Sequence, residues 1–84
     1  MDQIYALLVL IDSYCSATGL SEARVSTLVL GGGARAGQIR HGSDIGARRL
    51  DRAIEWFSTN WPAGVAWPEG VARPVSADET GEAA

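Results

Sequence analysis

Eighty-four residues make one small domain, and a hydrophobic content of 46% suffices for a packed core and excludes global disorder. A chain this short buries a modest share of its surface, so marginal stability or a dimer is expected. The net charge of −3 at first sight opposes nucleic-acid binding, but it is unevenly distributed.

Residues 21–52 hold six of the seven arginines (Arg24, Arg35, Arg40, Arg48, Arg49 and Arg52) against Glu22, Asp44 and Asp51, a balance of +3 with His41 in addition. Residues 61–84 hold Glu69, Asp78, Glu79 and Glu82 against Arg73, a balance of −3. A basic middle and an acidic tail fit a domain that meets phosphate with one surface. Arginine also pairs with phosphate and guanine bidentately.

Residues 2–18 read as the first helix. Asp2 is its cap, and Ile4, Leu7, Leu8, Ile11 and Cys15 recur at three- and four-residue spacing as one buried face, which Val9 and Leu10 widen. The apolar run 4–11 ends in Asp12 and is too short to span a membrane. The start Met-Asp-Gln has no basic n-region, so no secretory signal is expected and the location is read as cytoplasmic. Cys15 is the single cysteine and reads as a small buried hydrophobe, since one thiol builds neither a disulfide framework nor a zinc site.

The stretch 14–31, YCSATGLSEARVSTLVLG, reads as a helix-turn-helix. Gly19 supplies the turn because it enters positive φ without steric cost. Leu20 is an apolar plug, and Ser21 caps a second helix over 22–30. Val25, Leu28 and Val29 are expected to bury against the first helix, leaving Glu22, Ala23, Arg24, Ser26 and Thr27 outward to meet base edges. The same spacing also suits an αα-hairpin that never touches DNA.

Gly31-Gly32-Gly33 ends the second helix. Residues 34–41 read as a short helix carrying Arg35 and Arg40 outward and Ile39 inward, stopped by Gly42. Ser43 or Asp44 is expected to cap a last helix over 45–59, with Leu50, Ala53, Ile54 and Phe57 as its buried stripe and Arg48, Arg52 and Glu55 toward water. Pro62 ends it at or before Trp61.

The tail contains a repeat, WPAGVA (61–66) followed by WPEGVA (67–72), then Arg73-Pro74. It is expected to be extended or turn-rich and to lay Trp61 and Trp67 along the helical body. The alternative is a ligand for a partner groove. Residues 75–84 are small and acidic and are expected to lack fixed structure.

Nothing builds an active site, so no enzyme, metal or cofactor is expected: His41 has no nucleophile beside it, and there is no P-loop. Gly31, Gly33 and Ala36 after Leu-Val-Leu mimic a dinucleotide fingerprint, with Asp51 beyond. The chain is too short for a doubly wound domain, and no second strand precedes Asp51.

Residues 14–61 resemble the small phage- and plasmid-type regulators of alphaproteobacteria that carry a repressor-like helix-turn-helix of the XRE or lambda-repressor type. The resemblance is carried by the motif itself, by QIRHG (38–42), and by RAIEWFSTNWP (52–62). It implies DNA binding, usually as a homodimer, and transcriptional control. In that family a separate helix precedes the motif; here thirteen residues precede Tyr14, so one long helix from residue 2 is expected.

The expectation is therefore an all-α, compact three- to four-helix domain over 1–60 with a Trp/Pro/Gly-rich tail over 61–84. In a DNA-binding regulator Glu22, Ala23, Arg24, Ser26 and Thr27 would contact bases. Ser21, Arg35, Arg40, His41 and Arg48 would contact phosphates. The rival is a helical interaction module that binds RNA polymerase or another regulator through Trp61, Trp67 and the neighbouring Pro62 and Pro68. A small assembly protein of a mobile element is a third reading.

Overall fold

The computed structural model describes residues 2–74. Four helices follow in order: α1 (Gln3–Thr18), α2 (Glu22–Leu30), α3 (Arg35–Arg40) and α4 (Ala47–Asn60). No strand occurs among the described residues.

Local chemistry sets the helix ends. Asp2 accepts from the amides of Ile4 and Tyr5, at 2.8 and 3.0 Å, and starts α1 as one long helix. Gly19 closes it at φ +78, its amide bonded to the Cys15 carbonyl. Ser21 accepts from Arg24 N at 3.1 Å and starts α2, which Gly31 closes in the same left-handed way. Trp61 leaves α4 in extended backbone, as a residue before proline must.

The core joins Ala6, Leu7, Leu10 and Ile11 of α1 to Val25 and Leu30 of α2. Ala36 and Ile39 of α3 and Leu50, Ala53, Ile54 and Phe57 of α4 complete it, together with Val71. The α4 stripe is the expected one. In α1 the buried side is rotated toward Ala6 and Leu10, and Ile4, Leu8 and Cys15 are only partly covered.

Two expectations are corrected. The last helix starts at Ala47 rather than 45, capped by Gly46 without a side-chain bond. Ser43 N instead bonds the Gln38 carbonyl to finish the turn after α3, and Ile45 dips toward the core before α4 begins. Leu28 was expected inside and is 48% exposed. Helical residues advance about 100° each, and α3 docks on the Ser26–Leu30 side of α2, which swings Leu28 outward.

The Trp-Pro segment folds back on the helices. In each repeat the Pro carbonyl accepts from the Val amide three residues on, at 3.3 Å for Pro62–Val65 and 3.4 Å for Pro68–Val71. Gly64 and Gly70 take φ +82 and +85 at the third position, which makes both turns type II. Each indole then closes over its own turn: Trp61 Nε1 donates to the Val65 carbonyl at 3.0 Å and Trp67 Nε1 to the Val71 carbonyl at 2.7 Å. Trp61 and Trp67 meet edge to face with centroids 4.9 Å apart, and Tyr14, Trp56 and Phe57 extend the cluster. Arg73 stacks on Trp67 and bonds Ser58 of α4. The strap 61–74 is thus part of the folded body, as its sequence led one to expect. The expectation for residues 75–84 lies outside the described residues. No helix among the described residues is long and apolar enough to cross a membrane.

Candidate nucleic-acid interface

The outward side of α2 is set by what its other side must do. Val25 and Leu30 enter the core, and Ser26 faces α3. The stripe left free is Arg24, Thr27 and Leu28, flanked by Ser21 and Ala23, all exposed. Thr27 Oγ1 donates to the Ala23 carbonyl at 3.0 Å. Its hydroxyl proton is therefore occupied, and what it offers outward is a methyl group and an acceptor lone pair.

Ser26 does not join that stripe. Its side chain is fully buried, so the expectation of a base contact is corrected. Its Oγ donates to the Gly32 carbonyl and accepts from Ala36 N at 3.0 Å. One hydroxyl satisfies two backbone groups of the turn that joins α2 to α3. It thereby fixes the triglycine segment, and Arg35 after it, against α2.

Glu22 and Arg40 are also redirected. Arg40 Nε lies 2.9 Å from Glu22 Oε1, and Arg40 Nη2 is 2.7 Å from the same oxygen. The guanidinium also pairs with Asp12 of α1. Arg40, expected on phosphate, and Glu22, expected on a base, are thus paired with each other inside the chain, through Arg40 Nε and Nη2 and Glu22 Oε1. The bonds to Glu22 hold the Arg40 pKa above its ordinary value. Burial raises the Cys15 thiol, and the charges of Glu22 and Asp12 add to that, while Arg40 partly opposes it.

Arg35 and His41 are exposed at opposite ends of α3. Arg48 is exposed in the first turn of α4, with Arg49 beside it. That turn holds no acid and has no side-chain cap, so two guanidiniums sit at the positive end of the helix dipole. Sequence reasoning placed Leu28 in the buried face and gave Arg49 no contact. Knowing that Ser26 faces inward would have turned Leu28 outward, and the adjacent Arg48-Arg49 pair was itself a signal.

Comparison with protein families, with curated proteins and with solved structures finds no match to the chain.

Proposed function

We propose that the protein is a sequence-specific DNA-binding regulator that lays α2 in the major groove. The observation that carries this reading is the acid-free outer stripe of α2: Arg24, Thr27 and Leu28 face out while Glu22 is neutralised by Arg40. Arg24 suits guanine O6 and N7, and the Thr27 methyl and Leu28 suit a thymine methyl. Ser21 and Ala23 are small enough to let the helix approach. Arg35, His41 and Arg48 are exposed and would meet phosphates, contacts that fix orientation without reading sequence. A body this small presents little surface, so tight binding calls for a two-fold dimer on a pseudo-palindrome.

The rival reading, a partner docked on the Trp-Pro strap, draws less support. Both indole N–H groups are already bonded within the strap, and both rings lie half-buried against the helices.

The test is duplex binding by the full chain across a salt series, using fragments from its genetic neighbourhood and random duplex. A specific fragment should bind about a thousandfold or more tighter than random DNA, with affinity falling steeply with salt. Arg24→Ala and Thr27→Ala should each cost about 1–3 kcal/mol on that fragment and little on random duplex. Absence of binding at low salt would end the reading.

A further inference from the structure

We propose that the outward face of α1 is a two-fold contact with a second copy of this chain, in which Tyr5 of each molecule enters a groove on the other. It supplies the pair that the DNA reading calls for, and rests on that reading for its purpose alone.

The inward side of α1 is fully used. Ala6, Leu7, Leu10 and Ile11 enter the core, and Tyr14 packs on Trp56, Phe57 and Trp61. The opposite side is the line Tyr5, Val9, Asp12 and Ser16, spaced four, three and four residues apart. That spacing is the seam along which two helices pack. Its composition is not that of a face turned to water. Asp12 is the one charged residue among the 16 of α1, and Arg40 already matches it. A helix with so little polar contrast between its sides is one that is covered on both. Tyr5 is nevertheless 57% exposed, and Val9 is only partly covered.

Shape and charge name the occupant. The second half of the face opens into a shallow groove between α1 and the strap, lined by Ser13, Ser16, Ala17, Val65 and Ala66. These small side chains leave room for a large one. The face therefore carries a projection at one end and a recess at the other, as an isologous two-fold contact requires. Tyr5 and Ser16 lie about 16 Å apart along the helix. Two antiparallel copies of α1, related by an axis midway between Val9 and Asp12, place each Tyr5 over the partner's Ser16. With no cation on α1 and its single carboxylate matched within the chain, the two copies meet without repulsion. A strongly charged partner would find nothing to pair with. A helix face about 24 Å long and about 10 Å wide is smaller than the roughly 800 Å² that each partner gives to a standard interface, so the pair forms and separates with concentration. None of these residues belongs to the outer stripe of α2, so the two contacts do not compete for residues.

Tyr5→Glu and Ser16→Lys test the two halves of the contact. The first puts an acid three residues after the Asp2 cap, and the second puts a cation in a last turn that has none. Both suit the helix, so thermal unfolding of the dilute chain should not fall in either. Sedimentation equilibrium from about 10 μM to about 1 mM should show the native chain passing from one molecule to two. Each substitution should weaken that association about tenfold or more. The double variant should regain much of it, because each new carboxylate then faces the partner's new ammonium, and the regained part should fall with salt. Within one molecule the two positions are too far apart to pair. A native chain that stays monomeric to about 1 mM would overturn the proposal, as would association that neither substitution weakens. A double variant no better than either single one would overturn the placement of Tyr5 on the partner's Ser16. Specific duplex binding by a chain that is monomeric without DNA would remove this contact and keep the DNA reading. Association that responds to both substitutions, with no duplex binding at low salt, would keep the contact and remove the DNA reading.

Discussion

Arg40, the last residue of α3, reaches back to Glu22, the first residue of α2, with its Nε 2.9 Å from a carboxylate oxygen. Through Asp12 the same guanidinium also holds α1, so one side chain ties three helices together. The Arg40 side chain is 32% exposed and its partners more so, which limits what the pairs contribute. Arg40→Ala should cost about 0.5–1 kcal/mol in urea unfolding. Glu22→Gln should cost less in the Arg40→Ala background than in the native chain. The salt slope of DNA binding should change little, because the Arg40 charge is already matched by Glu22 and Asp12. A slope lower by about one unit would return it to a phosphate contact.

Ser26→Ala removes the partner of the Ala36 amide and one of the two donors to the Gly32 carbonyl, which keeps the Arg35 amide at 3.2 Å. Leaving the buried Ala36 amide unpaired costs about 1–3 kcal/mol. The unfolding free energy should fall by that amount, lowering the midpoint, and the Ala36 amide should exchange faster with solvent. An unchanged midpoint would mean that the hydroxyl does not hold the turn.

The three consecutive glycines are not equivalent. Gly31 sits at φ +79 in open space, so Gly31→Ala meets only backbone strain, about 1–2 kcal/mol. A Cβ on Gly33 would lie 3.4 Å from Thr27 Oγ1 and 3.6 Å from the Ala23 carbonyl, at ordinary contact distance or just inside it, and φ there is not positive. Gly33→Ala should be neutral or stabilise by up to about 1 kcal/mol, through the unfolded chain. Thermal unfolding of the two variants should move in different directions, and equal losses would refute this assignment.

Trp67→Ala removes an indole that packs on Trp61, carries Arg73 and closes its own turn on Val71. The ring is only partly buried, so a loss of about 2–3 kcal/mol is expected, below the range for a fully enclosed tryptophan. Trp67→Phe should recover part of it. A variant as stable as the native chain would show that the strap is ornamental to the fold.

Cys15 gives the pH dependence its sign. Its pKa in the folded chain lies above the ordinary thiol value because burial disfavours the thiolate, with Glu22 and Asp12 adding to the effect. The folded state therefore holds this proton more tightly than the unfolded state. That stabilisation is complete below the unfolded pKa, about 8.5, and is lost as pH rises through the folded pKa. Cys15→Ala should flatten the alkaline limb of the stability profile. Alkylation of the native thiol at pH 8 should be slower than that of the unfolded chain; equal rates would contradict the raised pKa.

The helices were legible because their signals are local. Asp2, Gly19, Ser21 and Gly31 each act on amides or carbonyls within four residues, and the Leu50–Phe57 stripe lies on one helix. The start of α4 was misread because Ser43 and Asp44 look like caps, whereas Ile45 has to reach the core first. The interface was less legible because its corrections come from afar. Ser26 is polar and small, so sequence alone turns it outward; its partner Ala36 is ten residues away. Arg40 lies 18 and 28 residues from Glu22 and Asp12, and no periodicity along one helix reports such a bond.

The two Trp-Pro turns are each complete within six residues, since the indole, the glycine and the accepting valine carbonyl all belong to one repeat. Such a strap is modular. A duplication or loss of one hexapeptide would leave every surviving turn intact and change the strap's length by one whole step. What it would disturb is the landing point, because Arg73 and Pro74 would no longer arrive at Ser58. The length of the strap is therefore tied to its far anchor at Ser58.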